Sequence, residues 1–109
     1  LNNWYPGEIH DDSRYAVKDV SLLSGWAKQA FLEHAPLRIT PGDPRRIHRK
    51  ISYGPSLDVF VIDLRSFRGP NSPNLQDRLT AAARILGAAQ LRWLTGALAA
   101  SRATWKVIA

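Results

Sequence analysis

Residues 57–63, LDVFVID, constrain the fold of this 109-residue chain more than any other segment. Val59, Phe60, Val61 and Ile62 favour β structure and show no alternation of polar and apolar side chains. That pattern predicts a central strand covered on both faces, as in the sheets of α/β proteins. The run ends in Asp63, Leu64 and Arg65, and the chain then breaks at Gly69-Pro70. Side chains two apart on a strand share a face, so Asp63 and Arg65 are expected to point together at its carboxyl end, with Leu64 turned away. Ligands of open α/β sheets bind at that edge. A carboxylate there can hold a cation and a guanidinium can hold an anion such as phosphate. The same two residues can equally cap the strand and tie down the loop that follows.

The flanking segments supply the rest of an α/β unit. Upstream, Ile47, Arg49, Ile51 and Tyr53 alternate and Gly54-Pro55 marks a turn, which predicts a β-hairpin whose first strand is half exposed. Asp19 is placed to cap a helix over 20–34, with Val20, Leu23, Ala27, Ala30, Phe31 and His34 at helical spacing and Pro36 as a stop. Downstream, Leu91, Leu94 and Leu98 predict a helix over 88–100, with Gly87 before its first turn. A strand over 104–108 follows, and the crossover rule places it parallel to the strand that ends at Asp63. Between these lie two loops. Residues 1–15 carry paired Asn, Pro-Gly and paired Asp, and Trp4 and Tyr5 are expected to pack them down. Residues 66–86 form a second, proline-containing loop with room for a helical turn within 74–84; loops of that length in compact domains are often functional.

Composition narrows the classes. With 45% hydrophobic and 22% charged residues the chain reads as one globular segment, 1–109. No apolar run approaches the roughly 20 residues that span a bilayer, so no membrane is expected as a partner, and no signal peptide is evident. The absence of cysteine excludes disulfides and thiolate metal sites. Fifteen Lys and Arg against nine Asp and Glu give a net charge of +6, a field that attracts anions. The sequence does not begin with Met and ends in ATWKVIA, a strand pattern without a polar tail. A piece of a longer protein is therefore expected.

Few side chains form a chemical motif by spacing alone. The basic run RRIHRK, 45–50, alternates and so forms no single stripe on a strand; it reads as a solvated face or as an anion-attracting patch. His10, His34 and His48 lack the spacing that sets two ligands on one helical face. Asp11-Asp12 lacks the pattern of a calcium loop and suits a turn. Asn2-Asn3 also suits a turn, although neutral amide oxygens beside Asp63 would serve a hard cation.

The segments NNWYPGE, YGPSLDVFVIDLRSFRGPN and ILGAAQLRWLTGALAASRATWKVIA resemble the PhoD-like alkaline phosphatase and phosphodiesterase family, in order and over nearly the whole chain. The resemblance implies part of a metallophosphoesterase-type α/β sandwich that hydrolyses phosphate monoesters or diesters. It implies Asn3 and Asp63 as metal ligands, with Asn2 as an alternative to Asn3, and Arg65 as an orienting or phosphate-facing group. It further implies iron and calcium as cofactors, a phosphate ester as substrate with nucleic acid only as a diester, and a periplasmic or secreted location. The Asp-Asp-His-Glu segment that precedes Asn-Asn-Trp in the family is missing here. Leu64 and Phe67 stand where relatives often carry Met and Tyr. The isolated segment is thus expected to lack activity and to self-associate through exposed apolar surface. A contrasting expectation is a non-catalytic basic α/β module that binds polyanions or a partner domain.

Overall fold

In the computed structural model, which describes residues 1–73 and 75–109, the order of elements follows the sequence patterns closely. Helix α1 spans Val20–His34, strand β1 Arg49–Tyr53, strand β2 Leu57–Val61, helix α2 Ala88–Ala100 and strand β3 Trp105–Ile108. A single 3-10 turn, Ala81–Ala83, interrupts the long loop; it falls within the expected 74–84, of which residue 74 lies outside the described residues. Asp19 caps α1 as its residue type predicts, with Oδ1 accepting from the Ser21 and Leu22 amides.

The sheet has the order β1-β2-β3. β1 and β2 form an antiparallel hairpin in which Ser52 faces Asp58 and Lys50 faces Phe60. β3 runs parallel to β2, with Val59 beside Val107, as the helical connection requires. The strand expected over 57–63 is therefore central, and it stops two residues short of Asp63.

Its coverage differs from the expectation. Asp58 and Phe60 are buried, whereas Leu57, Val59 and Val61 are only half-buried, so one face is closed and the other partly open. On the closed side Phe60 is buried, as is Leu94 of α2, and Ser101 at the end of that helix donates to Asp58. The continuous apolar run hid this alternation because Asp58 sits on the buried side. Its carboxylate is satisfied there by Ser101 Oγ at 2.6 Å, Ser52 Oγ at 2.6 Å and Lys50 Nζ at 3.1 Å.

Both helices also turn differently from their apolar spacing. In α2 the buried residues are Gln90 and Leu94, while Leu91 is exposed. In α1 only Val20 is buried; Ala27, Ala30, Phe31 and His34 are exposed. The reason is that α1 is anchored at its first turn. The Val20 amide donates to the Glu8 carbonyl at 3.1 Å, the Gly7 amide donates to Ser21 Oγ at 3.1 Å, and Ile9 bridges Asp19. Exposed apolar residues occur on β3 as well, with Trp105, Val107 and Ile108 all open. No helix among the described residues is long and apolar enough to cross a membrane.

The loop after β2 is closed by two glycines. At Gly69 a Cβ would lie 2.0 Å from the Ala82 carbonyl oxygen, and the Gly69 amide donates to the Arg84 carbonyl at 2.7 Å, so only glycine lets these backbones meet. Gly87, before α2, has φ of 71° and stands against Phe67. These contacts bring Phe67 and Gly69 against the segment that leads into α2.

Candidate active site

Asp63 lies just beyond β2, 7% exposed, and is held by its backbone and its side chain at once. The Asp63 amide donates to Gln90 Oε1 at 2.7 Å, and Gln90 Nε2 donates back to the Asp63 carbonyl at 2.9 Å and to the Leu86 carbonyl at 2.9 Å. Asp63 Oδ1 accepts from the Arg65 amide at 2.9 Å and the Ser66 amide at 2.8 Å, an Asx-type turn that fixes the carboxylate. The capping role anticipated for this pair is thus present, but it runs through the amide of Arg65 and not its guanidinium.

Asp63 Oδ2 points toward Lys28 of α1, with Nζ at 3.9 Å. Burial pushes the carboxyl group up, but hydrogen bonds from Ser66 and the Arg65 amide, aided by the Lys28 charge, outweigh it and hold the group below its ordinary value. It is a preformed carboxylate.

The Arg65 guanidinium reaches the other end of the chain. Its Nη2 donates to Asn3 Oδ1 at 3.2 Å, while Nη1 is buried without a partner. Asn3 adopts a left-handed backbone with φ of 54°, a conformation asparagine tolerates better than most residues. Asn71 Nδ2 donates to the Asn3 carbonyl at 2.9 Å, and Arg68 Nη2 donates to Asn71 Oδ1 at 2.6 Å. The RGPN loop therefore supports the first loop from below, and Asn3, not Asn2, is brought to Arg65.

The donor chemistry suits a hard cation in part. Asp63 Oδ2 faces Lys28, and an amide oxygen such as Asn3 Oδ1 has a second lone pair beyond the one Arg65 uses, but Asn3 lines a separate cleft with Arg68, Gly69 and Asn71 and is joined to Asp63 through Arg65. Orientation of a carboxylate by backbone amides is what metal-ligating groups require. Two oxygens, however, fall well short of the roughly six to eight that a calcium ion takes. Among the described residues no three His, Cys, Asp or Glu side chains lie together as a metal-holding group. The His48 ring packs against Trp93 and Phe67 at centroid distances of 4.9 and 5.9 Å and lies within electrostatic reach of Asp63 and Lys28. Burial, and then the Arg46 charge, lower its basicity.

Asp63, Arg65 and Ser66 open into a cleft of about 550 Å3, whose other walls include Trp4, Phe31 and Ile47 with Lys28 and Arg45. Three cationic side chains and one carboxylate thus line the same cleft, with Lys28 beside Asp63, Arg65 turned to Asn3 and Arg45 to the Gly25 carbonyl. Two parts of this arrangement were not marked by the sequence patterns. Lys28 carries no motif, and only its place on α1, one turn before Phe31 and Leu32, puts it beside the sheet edge. Gln90 stands in the segment LGAAQLRWL, a polar residue among mostly apolar ones. That is the usual mark of a buried group with a specific partner.

The carboxylate and the guanidinium thus stand at the carboxyl edge of an α/β sheet, the place where open α/β sheets bind ligands. The chain belongs to the PhoD-like phosphatase family, whose model matches residues 1–109. A solved structure described as "Structure of PhoD" is similar to it, with 29% sequence identity and a TM-score of 0.69 over 97% of this chain. The chain spans 22% of that solved chain. No curated protein matches the sequence at a significant level.

Proposed function

We propose that the polypeptide carrying this segment hydrolyses phosphate monoesters or diesters at a metal centre to which Asp63 and Asn3 each give an oxygen ligand. The observation that carries the reading is the locked Asp63 carboxylate, with one oxygen held by two amides and the other turned into a cationic cleft. Family membership supplies the reaction class. Bound metals, iron and calcium by likeness to the family, would polarise the phosphoryl group and lower the pKa of a nucleophile. Arg65, steadied by Asn3, orients the phosphoryl oxygens through its remaining donors, and Lys28 adds positive charge near Asp63. The remaining ligands come from outside this segment, and the isolated 109 residues are inactive. A periplasmic or secreted location accompanies the family likeness, and nucleic acid enters only as a diester. The exposed β3 edge favours self-association of the isolated segment.

The cluster of Lys28, Arg45 and Arg65 also favours a second reading, polyanion binding without turnover. The complete polypeptide, assayed with p-nitrophenyl phosphate and bis-p-nitrophenyl phosphate, separates the two. Turnover that a chelator abolishes and added iron and calcium restore supports the phosphatase. Salt-sensitive nucleic-acid binding with no hydrolysis under any metal supports the binding module.

A further inference from the structure

The cleft beside Asp63 has a wall that the phosphoryl chemistry does not use. Trp4, Pro6, Ala27, Phe31 and Ile47 line it together with Asp63, Arg65 and Ser66. Phe31 is 46% exposed although it is large and apolar. The helix α1 is anchored through Val20, and Phe31, near its other end, stays open to the cleft.

We propose that the Trp4–Phe31 wall binds the organic group of the phosphate ester, so that the substrate carries an aromatic or similarly flat apolar group beside its phosphate. The inference rests on the reading of Asp63 and Arg65 as the phosphoryl end of the cleft. Charge decides between this occupant and a further stretch of polypeptide. Lys28, Arg45 and Arg65 outnumber the single carboxylate Asp63 within the same lining. An apolar segment laid over them would take two uncompensated cations out of water, which is costly. An amphiphilic phosphate ester answers both demands, placing its anion among the cations and its apolar group on the aromatic wall. A volume of about 550 Å3 falls in the range of small-molecule sites. Phe31 and Trp4 are two-torsion aromatics that bind a flat group with little loss of conformational freedom.

The test uses Phe31→Ala in the complete polypeptide, because an exposed helix position tolerates the change. The wild type is expected to show a lower KM for p-nitrophenyl phosphate than for glycerol phosphate, and Phe31→Ala is expected to narrow that preference by about 5- to 10-fold, the scale of one partly buried ring face. Binding is measured in parallel with two phosphonates that are not turned over. Phenylphosphonate is expected to bind the metal-free protein more tightly than methylphosphonate, by a margin that shrinks in Phe31→Ala. Hydrolysis with equal KM for both esters and no response to Phe31→Ala leaves the phosphatase reading intact and overturns the subsite. Absence of hydrolysis with a Phe31-dependent phenylphosphonate preference supports the subsite and rejects the reaction. A fall in thermal stability of Phe31→Ala with no change in either preference means that polypeptide covers the wall, and also overturns the proposal.

Discussion

Replacing Gln90 by Leu removes the clamp on Asp63 while keeping the side-chain volume close to the original. Gln90 is fully buried and makes three hydrogen bonds, accepting from the Asp63 amide and donating to the Asp63 and Leu86 carbonyls. The leucine leaves those three backbone groups without their partner in a site closed to water. A buried unsatisfied polar group costs about 1–3 kcal/mol, with carbonyls at the lower end. Burial of the added apolar surface offsets part of this, so a net loss of about 3 kcal/mol is expected. Urea denaturation followed by tryptophan fluorescence measures it, as a lower midpoint at unchanged slope. Amide hydrogen exchange adds the local signature: Asp63, Arg65 and Ser66 should lose protection more than Val59 and Val61, which the sheet holds. A change below about 0.5 kcal/mol, the scale of an ordinary surface substitution, would show that the clamp contributes nothing and that the strand end is positioned otherwise.

Two further outcomes follow from the buried carboxylate and the close backbone contact. The Asp58 pKa is lowered from 3.8 to about 2, chiefly by the Ser101 and Ser52 hydroxyls. Its contribution to stability is therefore full above pH about 4 and lost as pH falls through about 2, and an acid titration of Asp58→Asn should lack that part of the slope. Gly69→Ala should displace the loop from Ala82 and lower the melting temperature, whereas Gly96→Ala, whose added Cβ meets nothing within 4 Å, should leave it unchanged or raise it; equal responses would show that the Gly69 approach relaxes freely.

What the sequence disclosed, and what it concealed, divides along the distance between interacting groups. The Asp19 cap, the hairpin turn at Gly54-Pro55, the bounds of both helices and the parallel placement of β3 all follow from local periodicity and short-range steric rules. Strand alternation also located the Asp63 edge. It went astray on the buried sides of β2 and α2, because Asp58 and Gln90 are polar residues made burial-competent by partners far away: Ser101 lies 43 residues from Asp58, and Asp63 lies 27 from Gln90. Leu91 looked a better core residue than Gln90 only because apolar spacing carries no information about a hydrogen-bond partner. In the site, Arg65 was expected beside Asp63 on one strand face. Its guanidinium instead meets Asn3, 62 residues away, once the Asx turn has bent the chain after Asp63. The resemblance to the family pointed to Asn3 and Asp63, and the structure joins them, among the described residues, only through Arg65.

The account turns on Asp63 as a metal ligand, and the direct measurement is metal content together with turnover for Asp63→Asn in the complete polypeptide. The amide keeps the shape and can still accept the Arg65 and Ser66 N–H bonds, so secondary structure and the denaturation midpoint should change little. Loss of the ligand charge should lower metal affinity by more than the about 10- to 100-fold seen when only a supporting group is removed, with turnover of p-nitrophenyl phosphate falling in step. A variant that retains the wild-type metal content and near-normal turnover at saturating metal would make Asp63 a strand cap and nothing more.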